Sequence, residues 1–220
     1  MKSSSSGSGG GSAVRESATS RCTVWSSPKR SSAPRSSASS SAPGRSGRSA
    51  TWKSYDHSST PAGSAEGLKL ISQNDERWQR CWIKSIALLP NVLAKNAAVA
   101  AGCDEAVFVE KGIVTECSAS NFFAVAGGKV LTHPVGPKVL PGITRLELMD
   151  LCRQLDIQFV ERAISEAECL AADEVFITST TREIGWVGKW NDRVIGNGSC
   201  GAITKRLHGA YQKLVAERTR

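Results

Sequence analysis

One lysine, one glutamate and two groups of small polar residues could do chemistry together in this chain. Lys84 comes just before a long apolar segment, and Glu116 follows 32 residues later. A lysine amine can serve as a nucleophile and as a base. A lysine considered alone is most often a solvated surface charge. Whether Lys84 is reactive must therefore be judged from the motifs that accompany it along the chain.

The segment 141–144, Pro-Gly-Ile-Thr, has the pattern of an anion site. It opens a predicted helix, and the first N–H groups of a helix have no partner within it. Ser179 and Thr180 follow a predicted strand and would add two hydroxyl groups. Each pattern by itself is common turn chemistry. Their order and separation along the chain are what make them specific.

Four motifs occur in a defined order: Ile-Lys-Ser (83–85), Val-Thr-Glu-Cys-Ser-Ala-Ser-Asn-Phe-Phe (114–123), Leu-Pro-Gly-Ile-Thr-Arg (140–145) and Thr-Ser-Thr-Thr-Arg-Glu (178–183). Together they resemble the fold-type IV (class IV) aminotransferases, which use pyridoxal 5′-phosphate. The nearest likeness is to the D-amino-acid (D-alanine) aminotransferase branch. The resemblance implies an α/β (α+β) fold, the large cofactor-binding domain of that family, over residues 66–220.

The resemblance also implies a role for each matching residue. Lys84 would be the catalytic lysine, which forms an imine with the cofactor aldehyde and later moves the substrate Cα proton. Glu116 would keep the cofactor ring nitrogen protonated. The remaining matches to cofactor-binding positions are Arg77, Leu140, Ile143, Thr144, Ser179 and Thr180. Two positions depart from the family: Cys117 stands where Gly is usual, and Trp82 where Asp is more frequent.

The implied reaction converts D-alanine and 2-oxoglutarate to pyruvate and D-glutamate by a ping-pong route through pyridoxamine phosphate. Branched-chain aminotransferase and aminodeoxychorismate lyase are alternatives within the family. A non-catalytic fragment that binds cofactor or a partner is the alternative outside it. The family also implies a homodimer acting on a small amino acid and a 2-oxo acid, with no metal, no specific nucleic acid and no membrane partner.

Residues 1–65 differ in composition from the rest of the chain. They contain 23 serines and no Leu, Ile or Phe. A segment that cannot bury apolar area cannot offset its conformational entropy, so we expect it to be disordered. It holds 9 Lys/Arg against 2 Asp/Glu, nearly all of the net charge of +8. The basic character of the chain therefore says nothing about residues 66–220.

Three interpretations of 1–65 are open: an organellar transit peptide, a linker, or sequence translated out of frame. We favour the third, because in the resembled family a small domain occupies this place. No Thr-Arg-Gly or Arg-x-His pattern of that domain occurs in 1–65, and His57 and Arg48 receive no role. We therefore expect the substrate-carboxylate site to be missing and the activity to be impaired.

Seven cysteines are scattered along the chain, and none forms a Cys-x-x-Cys pair. That excludes the usual zinc and redox motifs. An odd number of cysteines, with no hydrophobic signal region at the start, fits a reducing compartment. No apolar run approaches the length of a membrane span. We expect a cytoplasmic protein.

Hydrophobic periodicity and turn residues predict the elements that would position the site. Helices are predicted at 88–100, 143–155 and 202–216. Strands are predicted at 68–71, 105–110, 113–115, 122–125, 129–132, 158–161, 174–178, 186–190 and 193–195. Turns at Lys111-Gly112, Gly127-Gly128 and Asn191-Asp192 would join three hairpins.

Overall fold

Ten strands and four helices make up residues 66–219, the part of the chain that the computed structural model describes. The expectations about 1–65 fall outside these residues. The helices are α1 (Leu89–Ala100), α2 (Ile143–Gln154), α3 (Glu166–Leu170) and α4 (Ala202–Arg218). The strands are β1 (Leu68–Asn74), β2 (Glu105–Glu110), β3 (Ile113–Cys117), β4 (Asn121–Ala126), β5 (Lys129–Thr132), β6 (Phe159–Glu161), β7 (Ile164–Ser165), β8 (Glu174–Ser179), β9 (Glu183–Trp190) and β10 (Arg193–Val194).

The three predicted hairpin turns are confirmed, and each has both central residues at positive φ. The angles are 51° and 79° at Lys111-Gly112, 55° and 77° at Gly127-Gly128, and 47° and 61° at Asn191-Asp192. Two successive residues at positive φ give the turn that matches the right-handed twist of paired strands. They connect β2 to β3, β4 to β5, and β9 to β10.

The strands form one mixed sheet in the order β6-β5-β4-β8-β9-β1-β2-β3-β7, with β10 paired to β9. Strands β3 and β4 are joined by only residues 118–120, yet four other strands separate them in this order. The sheet must therefore curl until β3 comes back close to β4. This curl brings the ends of β3, β4 and β8 to one region.

Three larger apolar clusters, besides the pair Trp186 and Cys200, stabilise this arrangement. The inner face of the curled sheet holds a cluster that includes Leu70, Val107, Phe122 and Trp190. A second cluster packs α2 and α4 against the outer face of β4 and β8. In the third, Ala94 and Ala98 of α1 pack against Ala106 and Phe108 of β2. Burial of this kind contributes about 25 cal/mol for each Å² of apolar surface.

The predicted elements are confirmed with boundary shifts of at most a few residues. The sequence prediction lacked β7 and α3. Ser165 caps α3 by accepting a hydrogen bond from Glu168 N at 3.2 Å. Of the helices in residues 66–219, none combines the length and apolarity needed to cross a membrane. Within the same residues no group of three His, Cys, Asp or Glu side chains could hold a metal ion.

Candidate active site

A cavity of about 260 Å³ opens where β3, β4, β8 and the start of α2 meet. Ligand cavities typically measure about 300–1,000 Å³, so this one is slightly smaller than that range. The structure places all eight sequence-predicted site residues on its wall: Arg77, Lys84, Glu116, Leu140, Ile143, Thr144, Ser179 and Thr180. Their roles remain predictions, but they do share one cavity.

Lys84 lies in the segment 75–88, which has turns and bends but no helix or strand. Cys81 N donates to Pro137 O at 2.8 Å and ties this segment to the loop before α2. The Lys84 side chain is exposed at the cavity mouth. No carboxylate within residues 66–219 forms an ion pair with it. Its amine is therefore accessible to a molecule that enters the cavity.

Glu116 lies at the inner end of the cavity and is only 6% exposed. Its Oε1 accepts from Arg77 Nη1, and its Oε2 accepts from Leu140 N at 3.0 Å and from Asn121 Nδ2 at 3.1 Å. Burial raises the pKa of Glu116 to about 7, against the opposing effects of the Arg77 charge and the Leu140 N–H. A cationic N–H brought against this carboxyl would favour its ionised form.

Arg77 reaches the cavity mainly through Glu116. Its Nη2 donates to Asp75 at 2.8 Å, to Thr115 at 3.1 Å and to Lys138 O at 2.8 Å. Burial raises the pKa of Asp75, but the hydrogen bond and charge of Arg77 outweigh it and hold that pKa below its ordinary value. These partners fix the guanidinium, so Arg77 orients the Glu116 carboxyl.

The other end of the cavity is suited to an anion. Gly142 precedes α2, which has no side-chain cap and no acidic residue in its first turn. The N–H groups at such a helix start are free to donate, and the helix dipole favours negative charge. Ser179 and Thr180 stand at the end of β8, beside this start.

One buried hydroxyl at the same end has no hydrogen-bond partner among the described residues. Thr178 lines the cavity, is 1% exposed, and its Oγ1 makes no hydrogen bond to residues 66–219. An unpaired buried hydroxyl is costly. An anion at the start of α2 would give it an acceptor. Sequence analysis passed over Thr178, although it opens the Thr-Ser-Thr-Thr motif.

Cys117 causes no backbone strain in the place where the family usually has Gly. It is not among the residues with positive φ. Its side chain is 2% exposed and joins the inner apolar cluster. Burial raises the pKa of the Cys117 thiol well above its ordinary value, so the thiol stays neutral and unreactive.

These features fit pyridoxal 5′-phosphate. The free N–H groups of α2 and the Thr178 hydroxyl suit its phosphate, and the buried carboxyl of Glu116 suits its ring nitrogen. Lys84 is an accessible amine on the same cavity. The residues that would hold the group thus come from four separate segments of the chain.

Comparison with known proteins finds the same family of aminotransferases. The family description "Amino-transferase class IV" matches residues 11–190, which extends into the serine-rich segment. The D-alanine aminotransferase of Bacillus licheniformis is 40% identical over 153 residues, 70% of this chain and 54% of that protein. The D-alanine aminotransferase of Staphylococcus haemolyticus is 37% identical over 168 residues, 76% of this chain and 58% of that protein.

Among solved structures, the branched-chain amino acid aminotransferase of Thermobaculum terrenum in its PLP-form is similar, with a TM-score of 0.63 and 28% identity. That likeness covers 69% of this chain and 52% of the other. The chain therefore spans little more than half the length of the relatives it matches.

Proposed function

Since this chain belongs to the class IV aminotransferase family, we propose that it transfers the amino group of a D-amino acid to a 2-oxo acid. Members of the family use pyridoxal 5′-phosphate. The observation that carries the proposal is the single cavity where an accessible lysine, a buried carboxyl and an uncapped helix start meet. Those three features match the aldehyde, the ring nitrogen and the phosphate of that cofactor.

When bound, the cofactor supplies an aldehyde that bonds to amines and a ring that accepts electrons from the substrate Cα. Leu140, Ile143 and Thr144 would hold it from the α2 side, and Ser179 and Thr180 from the end of β8. The α2 N–H groups bind and orient the phosphate. The cavity wall excludes water from the inner end, where Glu116 is buried.

Lys84 Nζ moves the proton in this proposal. As a free amine it takes the Cα proton of the amino-acid substrate, and it delivers a proton again on the way to product. Its exposed position at the cavity mouth supports that role, since the substrate must reach it from solvent.

Glu116 holds a proton on the ring nitrogen. Its carboxyl is kept in one orientation by Arg77, Asn121 and Leu140 N, so it needs little rearrangement. A preorganised carboxylate of this kind stabilises positive charge on the ring better than water does.

D-Alanine with 2-oxoglutarate is the proposed substrate pair. The D-alanine aminotransferases that match at 37–40% identity support it. A branched-chain L-amino acid is the second candidate, favoured by the likeness to branched-chain aminotransferase structures.

The purified chain with cofactor would be offered D-alanine or L-leucine with 2-oxoglutarate, and the product amino acid would be separated by chirality. D-Alanine should be preferred by at least about tenfold in kcat/KM. A preference for L-leucine would establish the second candidate, and no turnover with either would favour a non-catalytic fragment.

A homodimer in the cytoplasm is part of the same proposal. Large apolar side chains are exposed beside the cavity mouth and along α1, among them Ile86 at 99%, Leu89 at 69% and Leu93 at 58%. An apolar surface of this kind is typical of an interface. Light scattering on the purified chain should give a mass near twice 23.4 kDa, and a mass of one chain at micromolar concentration would contradict the dimer.

A further inference from the structure

Asn121 links the two ends of the cavity. Its Nδ2 donates to Glu116 Oε2 at 3.1 Å and to Leu140 O at 2.8 Å. Leu140 N in turn donates to the same Oε2 at 3.0 Å. The side chain is 5% exposed. One amide group thus ties the carboxyl of Glu116 to the segment that leads into α2.

The orientation of this amide is fixed by its partners. Both Glu116 Oε2 and Leu140 O accept hydrogen bonds, so the nitrogen must face them. The Asn121 Oδ1 atom then faces Gly142, the residue just before α2.

Gly142 is a glycine because of this contact and not because of its backbone. Its φ of −65° and ψ of 144° suit any residue. A Cβ added to it would lie 2.3 Å from Asn121 Oδ1 and 3.5 Å from Asn121 Cγ. Apart from the two chain neighbours of Gly142, no other atom of residues 66–219 would lie within 4 Å of it. No real Cβ approaches an oxygen so closely. Any larger residue at 142 would have to displace the Asn121 amide.

We propose that Asn121, seated against Gly142, is a positioning residue that fixes Glu116 relative to the start of α2. This proposal rests on the proposed function, because Glu116 and the start of α2 mark the ends of the cavity assigned to the cofactor ring nitrogen and phosphate. A rigid cofactor can satisfy both ends at once only if their separation is held. Asn121 holds it together with the direct hydrogen bond from Leu140 N to Glu116.

Four variants test the proposal: Asn121→Ala, Gly142→Ala, the double variant, and Gly136→Ala as the matched control. A Cβ at Gly136 meets nothing within 4 Å, and its φ lies outside the positive range. Cofactor affinity is measured by absorbance titration, and the stability of the cofactor-free protein by guanidinium unfolding.

We expect Asn121→Ala and Gly142→Ala each to weaken cofactor affinity by about tenfold or more. The double variant should be no weaker than Asn121→Ala, because the added methyl group clashes with the Asn121 side chain alone. Gly136→Ala should bind as the wild type does. Affinity losses that multiply in the double variant, or an Asn121→Ala variant that binds cofactor normally, would overturn the proposal.

The pH response of Asn121→Ala separates positioning from simple packing. This variant removes the neutral donor to the Glu116 carboxyl without adding a charge, and a carboxylate that loses a donor is less stable in its charged form. The pH at which the visible band of the bound cofactor changes should therefore move by up to about one unit. A residue that only fills space would leave that pH unmoved, and Gly136→Ala should show the wild-type value.

Failure of the proposed function gives a different result. If wild-type protein binds no cofactor, the proposed function is wrong. The contact between Asn121 and Gly142 is then judged by the unfolding midpoints of the cofactor-free variants. If the midpoint shifts of Asn121→Ala and Gly142→Ala add up in the double variant, the positioning role is overturned as well. If they do not add up, Asn121 still positions Glu116, but without a link to a cofactor.

Discussion

Arg77 and Glu116 form an ion pair inside the protein, with their side chains 3% and 8% exposed. The two residues lie 39 positions apart in the chain and meet because the segment after β1 passes the end of β3. A buried pair costs much desolvation, which only good geometry and further hydrogen bonds can offset. Arg77 has these in Asp75, Thr115 and Lys138 O. The pair therefore fixes Glu116 at a site where its orientation matters.

Removing Arg77 should destabilise the protein strongly. Arg77→Ala leaves the buried Glu116 carboxyl with neutral donors only, and leaves Asp75 with Lys138 at 3.5 Å as its remaining cation. Breaking a buried pair typically costs about 3–5 kcal/mol. Arg162→Ala is the control, since Arg162 pairs with Glu168 in a largely exposed position and such pairs contribute about 1 kcal/mol or less. Guanidinium unfolding measures both. If both variants lose the same free energy of unfolding, the buried Arg77 pair stabilises the protein no more than an exposed pair does.

The stability of the cofactor-free protein should depend on Glu116 and on pH. Folding raises the pKa of Glu116 from 4.5 to about 7. Its contribution is therefore fully present below about pH 4.5 and is lost as pH rises through about 7. Glu116→Gln cannot titrate and lacks this dependence.

The measurement is the free energy of unfolding of wild type minus that of Glu116→Gln, followed with pH. It should fall by roughly 3 kcal/mol between pH 4 and pH 8. A difference that stays flat, or that rises with pH, would show that Arg77 outweighs burial and keeps the carboxyl ionised throughout.

Thr178→Val should have opposite effects on cofactor-free stability and on cofactor affinity. Valine keeps the shape but removes a hydroxyl that has no partner in the described residues, so cofactor-free protein should be equally or more stable. The lost donor should weaken cofactor binding several-fold. Thermal unfolding and absorbance titration measure the two effects.

Thr132→Val is its matched control. The Thr132 hydroxyl is buried, donates to Phe122 O at 2.8 Å and accepts from Arg145 at 3.1 Å. Its removal should cost about 1–3 kcal/mol of stability and leave affinity unchanged. If Thr178→Val binds cofactor as tightly as wild type, its hydroxyl does not face the phosphate.

The features predicted correctly from the sequence are those that depend on residues close together in the chain. The Lys111-Gly112, Gly127-Gly128 and Asn191-Asp192 turns are local, and all three adopt positive φ as hairpin residues must. The helices follow from apolar periodicity in the same way. The eight residues chosen from the motifs line one cavity, and they were chosen because the family resemblance supplied their spacing.

What the sequence did not predict depends on contacts between distant segments. Strand β7 is two residues long and exists through its pairing with β3. Asn121 was visible in its motif, but its link between Glu116 and Leu140 appears only when β4 lies beside the start of α2. The close approach at Gly142 is equally invisible, because a Pro-Gly pair is ordinary turn chemistry.

The most direct test of the account is where the cofactor becomes attached. Purified full-length chain is incubated with pyridoxal 5′-phosphate, reduced with borohydride, digested, and mapped by mass spectrometry. We expect the label on Lys84 in the wild type, no label in Lys84→Ala, and normal labelling in Lys213→Ala, whose lysine is exposed on α4. Label on another lysine, or undiminished labelling of the Lys84→Ala variant, would contradict it.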